Sequence, residues 1–522
     1  MHQVETLALL LAAVGIVGVL AERFKAPLPM LLIFAGVLLS LIPNGPQIEL
    51  DPELIFFVIL PPLLYIEAYQ TPWRKLKDVG DLVSAQAIGL VIVTIFGVAA
   101  ALKMVIPGMP WAIALTFGAI VSPTDAVSVS AVTRGATIPA KTMDIIRGES
   151  LVNDATGLVG YQAAVAAAVT GVFSVWNAGG SLLYVGLGGV GLGLILGLFL
   201  RRIRTEVSHR PSEIIASFLS PFVVYLAAEH FKVSGIIAVV SAGLLLGAHG
   251  PRMLSSSARV QARANWDSIA YILNGFTFLL IGLEVKPVAL KVLKYPLDQL
   301  VVSAIVVIAT SLVLRLVWTY VTYQSRRLIG QPVPSWKRVI IFSWCGMRGV
   351  VSLAAALSLP LTISGGEPFP YRNLLIFLTI VVIAFSLFVQ GGTLPFVLRM
   401  LNLDPEEMNA EETERMVRLK LTKEAIRALD EAATREGMDR TDPTFQRVVN
   451  TYVHVATLNM VARDETENEM VTKLETIAVD SQRRVLLNMR DSNEIDEHLF
   501  QQLQNELDLA DMHIRAIVLQ SD

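Results

Sequence analysis

The segment Gly148-Glu149-Ser150-Leu151-Val152-Asn153-Asp154 sets two carboxylates, a hydroxyl and an amide inside an otherwise apolar run near residues 145–170. On a helix, at about 100° per residue, Ser150 and Asp154 share a face with Asn153 beside them, while Glu149 points roughly 140° away from Asp154. The two acids therefore have different work. Asp154 with Ser150 offers the carboxylate and hydroxyl oxygens that a small hard cation such as Na+ prefers. Glu149 faces elsewhere, and Arg315, inside a later apolar run, suits it as the partner in a buried ion pair that holds helices in place. A carboxylate within a membrane mostly marks an ion or proton path; the alternative for Asp154 is a purely structural, hydrogen-bonded acid.

Two further constellations surround this one. In Ser122-Pro123-Thr124-Asp125, Pro123 lacks a backbone donor and clashes with the preceding turn, so the helix is expected to break near 121–124 and free carbonyls at mid-membrane. Thr124 thereby joins Asp154, Ser150 and Asn153 as a candidate ion ligand, and Asp125 can also serve as N-cap of the following half-helix. The second break is expected at Cys345-Gly346-Met347-Arg348-Gly349, where two glycines flank an arginine. If the chain contains inverted repeats, the two breaks are equivalent and cross, with Asp125 beside helix N-termini and Arg348 beside C-termini to compensate the exposed dipoles. Glu67, after Pro61-Pro62, is either a further site acid or a side chain that snorkels to the interface.

These residues need a membrane around them. Of 522 residues, 53% are hydrophobic and only 17% charged, against roughly a quarter charged in an ordinary soluble domain. Apolar runs near 7–22, 28–43, 52–70, 81–106, 111–132, 145–170, 181–200, 212–229, 235–249, 265–284, 297–323, 338–359 and 372–398 are mostly long enough to cross a core of about 30 Å. The expected fold is an all-α polytopic membrane protein of about thirteen spans. The first run has no basic leader and no small-residue cleavage site after it, so it reads as a retained span. A single cysteine, Cys345, excludes disulfide frameworks and CxxC metal sites.

The net charge of −3 conceals two parts: residues 1–403 carry 28 Lys+Arg and 19 Asp+Glu, and residues 404–522 carry 14 and 26. A membrane domain over 1–403 and an acidic, helical cytoplasmic tail over 404–522 are expected. Alternate loops hold 20 and 6 basic residues, which places the amino terminus outside and the tail inside. By the same reading only two cations, Arg315 and Arg348, lie within spans.

Taken together, Gly148-Glu149-Ser150-Leu151-Val152-Asn153-Asp154, Pro61-Pro62 with Glu67, Ser122-Pro123-Thr124-Asp125 and Gly346-Met347-Arg348-Gly349 resemble the monovalent cation/proton antiporter-1 family, the sodium/proton exchangers. The resemblance spans about residues 5–400. It implies that the family's Asn-Asp pair is Asn153-Asp154, its ion-liganding serine Ser150, its span-3 acid Glu67, its crossing-helix pair Asp125 and Arg348, and its buried ion pair Glu149 and Arg315. It further implies a homodimer, a mobile core of six helices moving like an elevator, and a tail that modulates the response to pH. The expected partners are the lipid bilayer, monovalent cations and protons, without cofactor or nucleic acid, and the expected location is a cell membrane, a bacterial inner membrane by the short amino terminus without glycosylated loops. The expected activity is electroneutral exchange of one Na+, or Li+ or K+, for one proton. Rival readings are a K+-selective antiporter, a cation channel, and an intramembrane aspartyl protease. The last needs two carboxylates sharing a proton, and has no use for mirrored helix breaks with an inserted arginine.

Overall fold

The computed structural model describes residues 2–42, 57–71, 80–133, 138, 140–171, 175–206, 210–253, 256–328, 335–401 and 423–435, with scattered short pieces between 441 and 504. Among these residues there is helix and no strand, with one isolated bridge between Thr362 and Pro368. The contacts divide the chain into two compact units, Met1–Leu403 and Asp404–Asp522.

In the first unit the helices are α1 His2–Arg23, α2 Leu28–Leu41, α3 Leu60–Gln70, α4 Gly80–Ser84, α5 Val91–Val105, α6 Trp111–Val121, α7 Ala126–Val132, α8 Ala140–Thr170, α9 Val175–Glu206, α10 Arg210–His230, α11 Gly235–Met253, α12 Ser256–Val292, α13 Leu297–Leu328, α14 Trp336–Trp344, α15 Val350–Leu357, α16 Arg372–Ala384 and α17 Gly392–Leu401. Proline sets several of the starts. Pro27 and Pro110 occupy the N-cap positions of α2 and α6, and Pro61-Pro62 fall in the first turn of α3, where a missing N–H leaves no bond unmade.

Two wide π-turns join helices into longer rods: Ala85–Leu90 between α4 and α5, and Phe385–Gly391 between α16 and α17. Such turns displace a carbonyl from the regular ladder, and each has a tryptophan nearby to receive it. Trp318 Nε1 donates to Ala85 O at 3.0 Å, and Trp344 Nε1 to Gln390 O at 3.1 Å.

Six described helical segments are long and apolar enough to cross a bilayer: Leu82–Val105, Tyr184–Arg204, Pro211–His230, Arg259–Val292, Leu297–Arg326 and Arg372–Leu401. A seventh is the pair α6 and α7, bent by 43° at its break, and Leu28–Leu41 and Gly235–His249 are shorter apolar helices. Interiors and surfaces are both hydrophobic. In α9 only 17% of the apolar window is buried, with Leu187, Ile195 and Phe199 turned outward, as a bilayer solvent requires and water would not tolerate.

The helices pack as two neighbourhoods. In one, α2 runs along α12, α9 along α11, and α11 against α3; in the other, α5 lies against α6 and α13, and α6 against α8. Close approach in the first depends on small residues, since a Cβ on Gly36 or Gly282 would collide with the facing backbone at Leu279 or Ile33.

The sequence puts Arg204 in a loop at 201–211, and the structure corrects this. α9 continues to Glu206, and Arg204 is 1% exposed, donating to Tyr65 Oη at 3.1 Å and Ser220 Oγ at 2.6 Å. Buried cations therefore number more than the two expected, because a charge at the end of an apolar run can fold back under its neighbours.

In the second unit residues 423–435 are helical and carry the exposed pairs Arg427–Glu431 at 3.2 Å and Arg435–Glu431 at 3.7 Å, the surface bonds of a solvated helix face. The sequence shows helical periodicity in the tail at Met416, Val417, Leu419, Leu421, Ile426 and Leu429, of which the first four lie outside the described residues.

Candidate ion site at two crossed helix breaks

Pro123 ends α6 at Val121, and Asp125 restarts the chain as α7. Asp125 is extended (φ −112°, ψ 104°). Its Oδ1 accepts from the amides of Val127 at 2.8 Å and Ser128 at 3.1 Å, and its Oδ2 from Ser128 Oγ at 2.6 Å. It is the N-cap, and its charge faces the positive end of the half-helix dipole.

The second break runs from Cys345 to Gly349, between α14 and α15. The breaks touch: the Asp125 amide donates to Met347 O at 2.8 Å. Glycine is needed on both sides of Arg348. A Cβ at Gly349 would overlap the Asp125 carboxylate, and one at Gly346 the Arg315 guanidinium. Arg348 Nη1 donates to Gly346 O at 3.0 Å, a carbonyl freed by the end of α14.

α8 passes the first break and supplies the groups its backbone lacks. Ser150 Oγ donates to Thr124 O at 2.9 Å and accepts from the Ala126 amide at 3.4 Å. Asn153 Nδ2 donates to Thr124 Oγ1 at 2.6 Å, and Asn153 Oδ1 accepts from the Thr124 amide at 3.3 Å. Asp154, one residue further, is 3% exposed and its Oδ1 has no partner. An orphaned buried carboxylate oxygen is expensive, and it sits one helical turn from Ser150, whose hydroxyl is bonded to Thr124 O. Glu67 on α3 is half-buried, with Ser150, Asp154 and Asp125 near enough to act on its carboxyl.

Glu149 leaves α8 on the opposite side. It meets Arg315 of α13 in a fork, Nη1 to Oε1 at 2.6 Å and Nη2 to Oε2 at 3.0 Å. Arg315 also donates to Phe342 O at 3.2 Å from Nη2 and lies over the Phe342 ring at 5.1 Å. Both side chains are 1–2% exposed, so the pair joins α8 and α13 to the end of α14 without touching the Asp154 face.

The structure therefore brings together Asp154, Ser150, Asn153, Thr124, Asp125 and Glu67 on one side of α8, with Arg348 across the crossing and Glu149–Arg315 apart. Ser386 and Gln390 were missed by sequence reasoning. Ser386 Oγ accepts from the Arg348 amide at 3.1 Å and donates to Gln390 Oε1 at 2.9 Å, while Gln390 Nε2 donates to Trp344 O at 3.3 Å. Their signal was a hydroxyl and an amide four residues apart in a strongly apolar rod, matched in hydropathy among the described spans by Leu297–Arg326. Among the described residues no group of three or more His, Cys, Asp or Glu is placed to hold a metal ion.

Two broken helices crossing in a membrane bundle, with buried acids at the crossing, define the architecture of an ion-coupled secondary carrier. Comparison with known proteins makes this specific. The profile of the family described as "Sodium/hydrogen exchanger, transmembrane" matches residues 8–400. An Escherichia coli protein named as an uncharacterized Na(+)/H(+) exchanger, YjcE, is 32% identical over 97% of both chains. A Bacillus subtilis protein named as a sodium, potassium, lithium and rubidium/H(+) antiporter is 30% identical, over 92% of this chain and 74% of its own. Among solved structures, the sodium proton antiporter MjNhaP1 from Methanocaldococcus jannaschii at pH 8 shares the fold with a TM-score of 0.63 at 21% identity, over 77% of this chain and all of that one. The chain belongs to the sodium/hydrogen exchanger family and is a multi-pass membrane protein.

Proposed function

We propose that this chain exchanges one Na+ for one proton by alternating access, with Asp154 as the carboxylate that the two substrates occupy in turn. The observation that carries the reading is the Asp154 Oδ1 atom, buried and unpartnered, on the helix whose Ser150 and Asn153 bond to the first break. Deprotonated, Asp154 with the oxygens of Ser150 and Thr124 and with Glu67 forms a ligand set for a small hard cation. Protonated, it is neutral and crosses without one. Asn153 holds the Thr124 break in shape, Asp125 and Arg348 compensate the half-helix ends, and the Glu149–Arg315 pair fixes α8 against α13.

The architecture that goes with this reading has thirteen spans in two inverted six-helix repeats, spans 1–6 and 8–13, with the amino terminus outside. Residues 404–522 form a soluble cytoplasmic tail, and the protein works as a homodimer in a bacterial inner membrane. The helices of the first unit fall on all the apolar runs of the sequence, which supports the count, and the equivalence of the two breaks supports the repeats.

A second reading concerns selectivity. The printed name of the Bacillus subtilis relative includes potassium, lithium and rubidium, and oxygen ligands accommodate all of them, so transport of K+ beside Na+ is the alternative to a Na+-selective carrier. Proteoliposomes with an imposed pH gradient, challenged in parallel with Na+, Li+ and K+, test both. Collapse of the gradient by Na+ and Li+ alone supports the first reading, collapse by all three the second. No collapse with any cation removes the antiport reading itself.

A further inference from the structure

The second break has a cavity of its own. It lies between α13, the Cys345–Gly349 break and the π-turn of the last rod, with Ser311, Arg315, Gly346, Arg348, Ser386 and Gln390 on its walls and about 20 Å³ of room for the centre of a water-sized sphere. One such particle needs roughly 10–15 Å³. Two wall atoms have no partner, Arg348 Nε and Ser311 Oγ, on residues 4% and 7% exposed. Buried polar atoms are nearly always satisfied, and charged donors above all. Nε–H can only donate and a hydroxyl can donate, so both orphans ask for an acceptor.

The local charge is unbalanced in the same sense. Arg315 is committed to Glu149, and among the described residues Arg348 makes no ion pair. Arg315 and Glu149 are charged groups that act on Arg348, and these three side chains together carry one net positive charge.

The first break offers a counterpart of opposite sign. There α8 sends a hydroxyl and an amide, Ser150 and Asn153, to the backbone of Thr124 and Ala126; here the last rod sends Ser386 and Gln390 to the backbone of Arg348 and Trp344. Each break then has one ionisable side chain with an unpartnered atom: Asp154 Oδ1 on α8 beside the first, and Arg348 Nε within the second. An acid with a free oxygen suits a cation. A guanidinium with a free N–H, facing a hydroxyl across a one-particle cavity, suits an anion.

We propose that the cavity between Arg348 and Ser311 binds a small monovalent inorganic anion of the size of chloride, held by Arg348 Nε–H and Ser311 Oγ–H. The anion is a resident counter-charge for the second break, not cargo. Its loss leaves the Arg348 charge uncompensated and loosens the crossing.

The test is the melting temperature of the purified full chain in detergent, in choline chloride against choline gluconate at equal ionic strength. A bound anion raises the melting temperature with the logarithm of its concentration, and the Ser311→Val variant, which fills the cavity and removes a donor, loses that dependence. Ser311→Ala, which keeps the space, shifts it to higher chloride. A structure obtained in bromide carries an anomalous peak within hydrogen-bond distance of Arg348 Nε. An equal response of wild type and both variants, the mark of a general salt effect, or a bromide structure with only water in the cavity, overturns the proposal. Neither readout depends on transport, so failure here leaves the antiport reading standing.

Discussion

The amide of Asp125 donates to the carbonyl of Met347 at 2.8 Å, and this bond helps to tie the two broken helices together at their crossing. It exists because Pro123 and the Gly346–Gly349 segment each take their own backbone out of helical register. Groups that a continuous helix would satisfy internally are available to the other strand, and any movement at one break is felt at the other.

Gly349 is therefore a sensitive position far in chemistry from the ion. Gly349→Ala places a methyl against the Asp125 carboxylate, and overpacking of this kind costs typically about 1–3 kcal/mol. The expected outcome is a lower melting temperature together with impaired exchange, although no ion ligand is altered. Gly365, which has open space around its Cβ position but a φ of +153°, is the comparison: Gly365→Ala is strained locally and leaves exchange intact. Melting curves and vesicle assays on the two variants distinguish them.

The Glu149–Arg315 fork predicts strong coupling. Glu149→Gln or Arg315→Gln alone leaves an unpaired buried charge and costs roughly 3–5 kcal/mol, while neutralising both together does less harm. A double-mutant cycle on thermal stability checks it. Additive losses would mean that the two charges do not interact.

Ser150 and Asn153 support the first break through four hydrogen bonds at 2.6 to 3.4 Å, two with the Thr124 backbone, one with its hydroxyl and one with the Ala126 amide. Removing one partner of a buried bond costs about 1–3 kcal/mol. Asn153→Ala is expected to reduce stability and the rate of exchange without altering the stoichiometry, since an amide does not titrate. A change from neutral to current-carrying exchange in Asn153→Ala would contradict that role.

How much of this was legible beforehand differs by element. Both breaks could be read, because Pro123 and the Gly346–Gly349 pair act on the backbone whatever surrounds them. The opposite facing of Glu149 and Asp154 could be read as well, since helical periodicity alone dictates it. Arg204 could not. Hydropathy sees a basic residue at the end of an apolar run and assigns it to water, whereas its burial depends on Tyr65 and Ser220 from distant helices. Ser386 and Gln390 were hidden for a similar reason: polar residues that serve a neighbouring backbone look, in sequence, like incidental hydroxyls and amides in an apolar rod.

In the proposed cycle one carboxylate is alternately neutralised by Na+ and by H+, so that the loaded carrier would have the same net charge in both directions. Membrane voltage, worth about 2.3 kcal/mol per charge moved per 100 mV, then has nothing to act on. Exchange rates at fixed pH and Na+ gradients are expected to be independent of an imposed potential. The same competition fixes the sign of the pH dependence: as pH falls through the site's pKa, protons occupy Asp154 and the apparent affinity for Na+ drops. Steady currents would show that a second group such as Glu67 carries a proton of its own, and an affinity for Na+ that rises on acidification would contradict the competition at Asp154.

The most direct measurement is Na+-driven proton movement in proteoliposomes containing the Asp154→Asn variant, reconstituted from monodisperse protein beside the wild type. Asparagine keeps the shape of the side chain but neither binds a proton near neutral pH nor offers a charge to Na+. The account predicts a folded, correctly inserted protein whose exchange does not exceed that of empty vesicles at any pH. Exchange at the wild-type rate by that variant would contradict it and move the site to another acid of the crossing.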